Sequence, residues 1–544
     1  MRCAPLHQSM ICTGLLIGAA PVFADDFYVD AWNGQPSNGG TSPADAWHSI
    51  THALATVPDP APQEVHTIHL APAIYSAGSG EVFPLVMRPR VQVVGAGGPV
   101  GVLIQGSWSG PLVLFQSLAS GAGESFDQQS LLARVTLHQG GTGVALVTDW
   151  GMLAPRLEDV MVWQALGPGV SIQGGAFGAA GPFAPIFDHV EVWDNTVALS
   201  VTMSGEGGES SVKLIDCVLR DGPGHGIELI NVSAGGTLTL DALRTTVKNR
   251  SEDALHVRYT NGAHVSTKLL YCALLKTAGD GIEVEADAGL GGVATTRLDH
   301  CTVTQHTGRG LAISTAGGAS VAHPTELDST ILWGNGDDLL EDSGAPSITS
   351  IARCNIGDGD YLGVNGNIST NPRFVDPSFD DYRLRYGSPC IDRGNALPRA
   401  LAGTNSLGGI VAPVDGDLDL LAGWDIGASE FAPLQLRGTA RLGSVVTLQA
   451  FGKSGLAARV LWRRGPPSST PRRLPYGDWW LGSGALEWGL LPTNPGTPGE
   501  IRFAIPNDAT LLGRSYSFQA LVRPSEGVPY PGVLTNVVSF TVLP

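Results

Sequence analysis

Residues 269–284, LLYCALLKTAGDGIEV, decide the fold. They align with residues 214–229, LIDCVLRDGPGHGIEL, and with residues 298–313, LDHCTVTQHTGRGLAI. Each copy has an apolar start, a Cys, an apolar residue two positions on, and a Gly-containing turn. Each closes on a small apolar run whose first residue, Ile227, Ile282 or Leu311, lies ten positions past the Cys. Weaker copies are anchored at Val135, Val160, Val190, Thr245 and Thr330, and successive anchors stand 25, 30, 27, 28, 27, 29 and 29 residues apart. A period in the high twenties is the signature of a repeat architecture.

Periodicity inside the unit says which repeat it is. Anchor and anchor-plus-two are apolar or small (Val160/Val162, Val190/Val192, Cys217/Leu219, Cys272/Leu274), while the alternate positions are mixed (Met161/Trp163, Glu191/Trp193, Val218/Arg220). The closing run alternates too, with Ile227 and Leu229 in and Glu228 out, and Ile282 and Val284 in and Glu283 out. Period-2 alternation means strands with one buried face, and no segment carries the 3.6 period that a helical solenoid needs. The sequence therefore predicts an all-β parallel β-helix of roughly ten coils. In such a fold each coil pairs with its neighbours about 4.8 Å away, so like residues stack.

The ends of the chain read differently. Arg2, His7 and the apolar run from Met10 to Ala20, followed by Val22-Phe23-Ala24, predict a secretory signal cleaved after Ala24 (residues 1–24). No later stretch has the 18 consecutive apolar residues of a membrane span, so the expectation is a secreted or surface-associated monomer. Residues 25–100 predict an N-terminal cap and first coils. An edge strand lies at Phe27 to Val29, and a cap helix starts at Ser42-Pro43 with Ile50, Ala53, Leu54 and Val57 as its apolar stripe. Residues 101–432 hold the β-helix and a closing segment. In residues 433–544 the repeat vanishes, and strand-like runs such as Val445 to Ala450 and Tyr516 to Val522 predict a small antiparallel β-sandwich. There Trp479, Trp480 and Trp488 would serve either as a sugar-stacking platform or as core.

Net charge is −18, and Arg2 is the only basic Lys or Arg before Asp25, so the cleaved chain is more acidic still. That disfavours nucleic acid, whose phosphates need clustered Lys and Arg. Five cysteines remain after cleavage: Cys217, Cys272, Cys301, Cys354 and Cys390. Cys272–Cys301 and Cys354–Cys390 are conceivable pairs, stacked free thiols the alternative, and an odd total leaves one unpaired in any case.

Residues 27–54, FYVDAWNGQPSNGGTSPADAWHSITHAL, and 67–97, TIHLAPAIYSAGSGEVFPLVMRPRVQVVGAG, resemble the opening of exported bacterial β-helix proteins of the pectin-lyase-like superfamily. Residues 369–395, STNPRFVDPSFDDYRLRYGSPCIDRGN, with 425–431, DIGASEF, resemble the closing segment of the same proteins. The resemblance implies that the β-helix is right-handed. The superfamily includes polysaccharide lyases, glycoside hydrolases, epimerases and non-enzymatic surface proteins, and no branch's catalytic signature is complete here. Gly224-His225-Gly226-Ile227 is similar to the Gly-His-Gly element of polygalacturonase-type hydrolases, but their other elements are missing, and Gly279-Asp280-Gly281-Ile282 has the same frame. Asp415, Asp417 and Asp419 mimic a Ca²⁺ loop without its Gly and Glu spacing.

Chemistry must sit on outward positions, which stacking turns into ladders. Three residues past the anchors stand Trp163, Trp193, Arg220 and Lys248. Indoles stack on pyranose rings and Arg or Lys meets carboxylate or sulfate, so this row is a candidate polysaccharide-binding stripe. A second ladder holds His225 and Glu228, then Asp253 and His256, then Asp280 and Glu283, with Arg309 on the next coil. Carboxylates on adjacent coils would lie about 5 Å apart and those two coils apart about 10 Å, which brackets the two glycosidase geometries. Crowding would raise one carboxylate and supply a general acid. For lytic cleavage Arg258, Arg309 or a His would neutralise a uronate. The same oxygens could instead hold Ca²⁺, or be solvated turns. Two functions are therefore expected to compete: a hydrolase or lyase acting on extracellular polysaccharide through the second ladder, and a non-catalytic surface or carbohydrate-binding protein.

Overall fold

The structure is a computed structural model. It describes residues 25–117, 125–149, 151–175, 182–260, 262–286, 291–315, 323–341, 348–397, 405–407, 423–452, 456–470, 472–474, 477–493, 498–522 and 533–544. The signal segment and Asp415, Asp417 and Asp419 lie outside the described residues.

Among the described residues, three parallel sheets of 12, 11 and 10 strands run the length of a right-handed β-helix. One coil shows the plan. Glu209–Ile215 lies in sheet 1 (12 strands), Val218–Gly222 in sheet 2 (11 strands) and Ile227–Asn231 in sheet 3 (10 strands). The register stacks each coil on the next, with one shift at Thr325/Glu326 near the closing end: Val192 sits on Leu219 and Leu219 on Val247, Leu229 on Val257 and Val257 on Val284. Inward residues of all three sheets form one continuous apolar core.

The corner between sheets 1 and 2 explains the anchor. The residue before each anchor adopts left-handed backbone in coil after coil: Asp159, His189, Asp216, Arg244, Tyr271, His300 and Ser329, with φ from 48 to 55°. That conformation costs a non-glycine residue about 1 kcal/mol. It is offset because each such N–H donates to the next coil, as His189 N does to Ile215 O (2.9 Å) and Asp216 N to Leu243 O (3.0 Å). The anchor itself turns inward beside a carbonyl of the preceding coil. The thiols of Cys217, Cys272 and Cys301 donate to Phe187 O, Ala242 O and Leu269 O, and the Thr330 hydroxyl donates to Leu298 O. A small side chain with one donor fits that seat, so Cys and Thr recur there. All five cysteines are free and buried, so neither conceivable disulfide forms. Burial pushes the Cys217, Cys354 and Cys390 thiols up to about 12.

The N-terminal cap corrects one expectation. Ser42-Pro43 opens only a 3-10 turn, Pro43–Asp45, and the α-helix is Ile50–Thr56 with Ser49 at its N-cap. Between them Trp47 is held extended, bridging Val29 and stacking on Phe27 at 5.5 Å, so the helix starts after it. The helix N-terminus is closed from afar: the buried Glu81 carboxylate accepts from Ile50 N (2.7 Å) and Thr51 N (2.8 Å). Ile50, Ala53, Leu54 and Val57 bury as the stripe predicted. At this end of sheet 1 lies the edge strand Asp26–Val29.

At the other end the closing segment lies against sheet 2. Phe374, Tyr382, Leu384, Cys390, Ile391, Ile426 and Phe431 pack with Ala273, Leu275 and Ile331. Beyond it stands the small antiparallel sandwich. A three-stranded sheet (Leu434–Arg437, Val445–Ala450, Gly499–Ala504) faces a four-stranded one (Leu456–Arg464, Leu486–Thr493, Ser515–Val522, Val533–Thr541). Leu434, Leu448 and Phe503 meet Val460, Leu491 and Phe518 between them. Trp488 packs edge-on against Phe503 at 4.6 Å and remains 46% exposed, so it belongs to the wall of this core as well as to the surface.

Candidate functional site

Both predicted ladders are in register. On sheet 2 the row runs His138, Trp163, Trp193, Arg220, Lys248, Leu275, Thr304, Trp333. Stacking coils about 4.8 Å apart also stacks the rings that project from them. Trp163 lies between His138 (centroids 4.3 Å) and Trp193 (5.8 Å), nearly parallel to both. Trp193 is covered on its other side by the Arg220 guanidinium, 5.0 Å from the ring centre. The indole faces are therefore occupied by their own neighbours, and the face-on pyranose stacking expected of Trp163 and Trp193 has no face to use. Arg220 is also held by Glu191 (2.9 Å) and Asp221 (2.6 Å). Lys248, expected to meet substrate, is clamped instead: it and Lys276 of the next coil share Asp380 of the closing segment, at 2.9 and 2.6 Å.

The second ladder spans the corner between sheets 2 and 3 and the outward face of sheet 3. Glu228 pairs with His256 and His256 with Glu283 across the sheet. One turn earlier on each coil, His225, Asp253, Asp280 and Arg309 occupy the same seat of the repeat. The His225 and His256 rings stack at 4.5 Å. His225 Nδ1 lies 3.2 Å from both the backbone N and the carboxylate Oδ2 of Asp253, and its Nε2 lies 3.1 Å from Glu252. His256 Nδ1 faces Asp253 and Glu283 at 3.3 Å each, an attraction of charge more than of a directed hydrogen bond. Asp280 receives Arg309 through Nη2 (2.6 Å), and Arg309 also reaches Glu283 (3.4 Å). Asp253 Oδ1 accepts from the Asp280 N–H at 2.7 Å. Glu228 stands apart and accepts only from Ser200 Oγ (2.9 Å) among the described residues.

These contacts decide the electrostatics. Burial alone would raise the Asp253 carboxyl, but His225, His256 and the Asp280 N–H hold it far below the usual carboxylate range. Burial alone would lower the His256 imidazole, but Asp253 and Glu283 push it up to about 10. The crowded carboxylate expected to act as a general acid is thus absent at Asp253: cations alternate with the acids and remove the repulsion that was to raise it. The proton on this ladder sits on His256.

Two groups of side chains here bring three ligand atoms within 4.8 Å of one another: His225/Asp253/His256 and Asp253/Asp280/Glu283. In both, Arg309 or an imidazolium already sits on the same oxygens, which opposes a second positive charge, and Ca²⁺ asks for six or more oxygens. The residues present do not fit that ion. A third group, Asp188/His189/Asp216, is neutralised in the same way by Arg156 and Arg244.

A third ladder escaped sequence reasoning. Five residues past the anchor stand Asn195, Arg250, Thr277, His306 and Asn335, all outside the alternation that marks strands. Asn195 Oδ1 accepts from Ala165 N (2.6 Å), and Asn335 Oδ1 accepts from His306 N (3.0 Å). His306 Nε2 donates to Leu274 O (3.1 Å). Arg250, 2% exposed, donates to the carbonyls of Asn195, Thr196, Asp221 and Gly224. A Cβ at Gly222 would lie 2.4 Å from its Nη1, which explains the glycine on the coil before. These residues tie corner to corner and hold the seats from which His225, Asp253, Asp280 and Arg309 project. Their signal was the recurrence of polar side chains at one fixed offset.

Residues 32–139 match the family model described as a protein of unknown function, DUF1565. A search of curated proteins gave no match. Among solved structures the chain is similar to the pectate lyase Pel9A at 13% identity and a TM-score of 0.44, over 75% of this chain and 96% of that one. It is similar to full-length tailspike protein 2 of the Escherichia coli O157:H7 bacteriophage CAB120 at 11% identity and a TM-score of 0.32, over 96% of this chain and 68% of that one. Likeness at this level says nothing of chemistry, and the assignment of fold stands on the strand pairing of the chain itself. By that pairing the protein is a right-handed parallel β-helix.

Proposed function

We propose that this is an exported protein that engages extracellular polysaccharide along the outward face of sheet 3. It holds the glycan by the strip from Glu228 to Arg309 rather than cleaving it. The observation that carries this reading is the in-register alternation of acid and cation at Asp253, His256, Glu283 and Arg309. Such a strip offers donors and acceptors at a repeating step to the hydroxyls of an extended sugar chain. Asp253 and His256, the pair at its centre, do not pass a proton back and forth near neutral pH as turnover would ask of them. His256 keeps its proton to about pH 10, and Asp253 gives its own up far below neutrality. Calcium has no part in this reading, since it would have to displace Arg309 from Asp280.

Hydrolysis or lytic cleavage is the second reading, favoured by one contact. His225 bridges Glu252 and Asp253 at 3.1 and 3.2 Å, a path along which a proton can pass. Retention of the protein on a panel of immobilised polysaccharides, with released reducing ends and unsaturated uronide absorbance followed in parallel, separates the two. The expected result is retention without product. Product formed by the parent and lost in D253N moves the assignment to an enzyme. No retention and no product on any glycan ends both.

A further inference from the structure

The closing segment and sheet 2 enclose a cleft of about 430 Å³ lined by Gln305, Trp333, Asn371, Arg373, Phe374 and Arg385 among others. That volume lies within the range of small-molecule sites. Arg373 and Arg385 face each other across the hairpin of Phe374–Asp376 and Asp381–Leu384, where Arg385 N donates to Arg373 O (2.9 Å). Like charges in that relation repel. Elsewhere on this strongly acidic chain the arginines beside sheet strands find carboxylates, as Arg156, Arg220, Arg244, Arg297 and Arg309 do. Among the described residues neither Arg373 nor Arg385 has one. Instead one N–H of each is fixed on a backbone carbonyl, Arg373 Nη1 on Gly387 O (3.0 Å) and Arg385 Nη2 on Val375 O. The remaining guanidinium donors stay available at the cleft.

The second feature is Trp333. It belongs to the same row as Trp163 and Trp193, but its neighbours in the row are Thr304 and Gly357, and among the described residues no ring stacks on it. Asn371 and Gln305 add amide groups, with Gln305 already oriented by the Tyr382 hydroxyl at 2.7 Å. An uncompensated pair of guanidinium forks, an indole without a ring partner and two amides in one open cleft match one kind of ligand. We infer that this cleft binds a sugar residue carrying a carboxylate or comparable oxyanion, with Arg373 and Arg385 on the anion and Trp333 against the ring. It is the local reversal of sign that lets an otherwise repelling chain accept an acidic glycan, and it does not depend on what the sheet 3 strip does.

Calorimetric titration of the full chain at low salt with trigalacturonate, neutral cellotriose and inorganic sulfate tests this. Trigalacturonate is expected to bind saturably, with cellotriose and sulfate each at least about tenfold weaker, and R373Q/R385Q is expected to weaken trigalacturonate by at least about tenfold with its unfolding midpoint unchanged. R373K/R385K, which keeps charge but not the fork, falls between parent and double variant. Should the double variant not fold, R385Q alone weakens binding severalfold, since that side chain is exposed. Unaltered trigalacturonate affinity in the folded variant, sulfate binding as tight as the trisaccharide, or equal binding of cellotriose overturns the assignment.

Discussion

His256 takes its charge from two coils at once, Asp253 on its own and Glu283 on the next. Its folded imidazole holds its proton to about 10 against about 6.5 when unfolded, so its contribution to stability is whole below about pH 6.5 and is lost as pH climbs toward 10. Glu430 acts in the same direction: burial, with Asp425 beside it, raises its carboxyl well above the ordinary value, and folding is weakened as rising pH ionises it. Asp253 acts at the other extreme, losing its contribution only in acid below about pH 4. Denaturant unfolding from about pH 6.5 to about pH 10 is therefore expected to show a falling midpoint. H256A, which strands two partly buried carboxylates, is expected to lose about 3 kcal/mol at neutral pH and to show a flatter alkaline decline. The identity of these residues was legible in the sequence. Their protonation was not, because it depends on distances between side chains 27 to 30 positions apart that alternation does not give.

The corner is the element that repeats most faithfully. One left-handed residue leads into the anchor, and a polar residue five past it closes the next bend. Strand alternation and the anchor spacing exposed the first half of this unit, and with it the register of all three sheets. The second half was hidden because Asn195, Arg250 and His306 read as ordinary polar turn residues until their carbonyl partners on other coils are placed. The cap helix was misplaced for the same reason, since Glu81 closes its N-terminus from 31 residues away. Arg250 carries the largest share of the corner ladder. R250A is expected to cost about 3 kcal/mol or more, read from the denaturant midpoint, by orphaning buried carbonyls and opening a cavity beside Gly222. R250K is not expected to rescue it, since a single ammonium cannot reach carbonyls on two coils at once.

At the scale of the whole molecule the β-helix has one core from cap to closing segment, and the sandwich has its own. The closing segment is tied to the rod by Asp380 between Lys248 and Lys276 and by the apolar cluster around Phe374. Five thiols are sealed inside these cores. A thiol reagent is expected to label none of them in the native chain from Asp25 onward and all five after unfolding; labelling of a subset under native conditions would mean that a part of the rod opens by itself. The overlapping rings of His138, Trp163 and Trp193 carry a consequence of another kind. Two indoles 5.8 Å apart and nearly parallel share their electronic transitions, so the coils that carry them have a built-in optical signature. A paired band of opposite signs in the near-ultraviolet circular dichroism is expected from the intact chain and is expected to vanish in W193F, giving the middle of the rod a reporter that no added dye supplies.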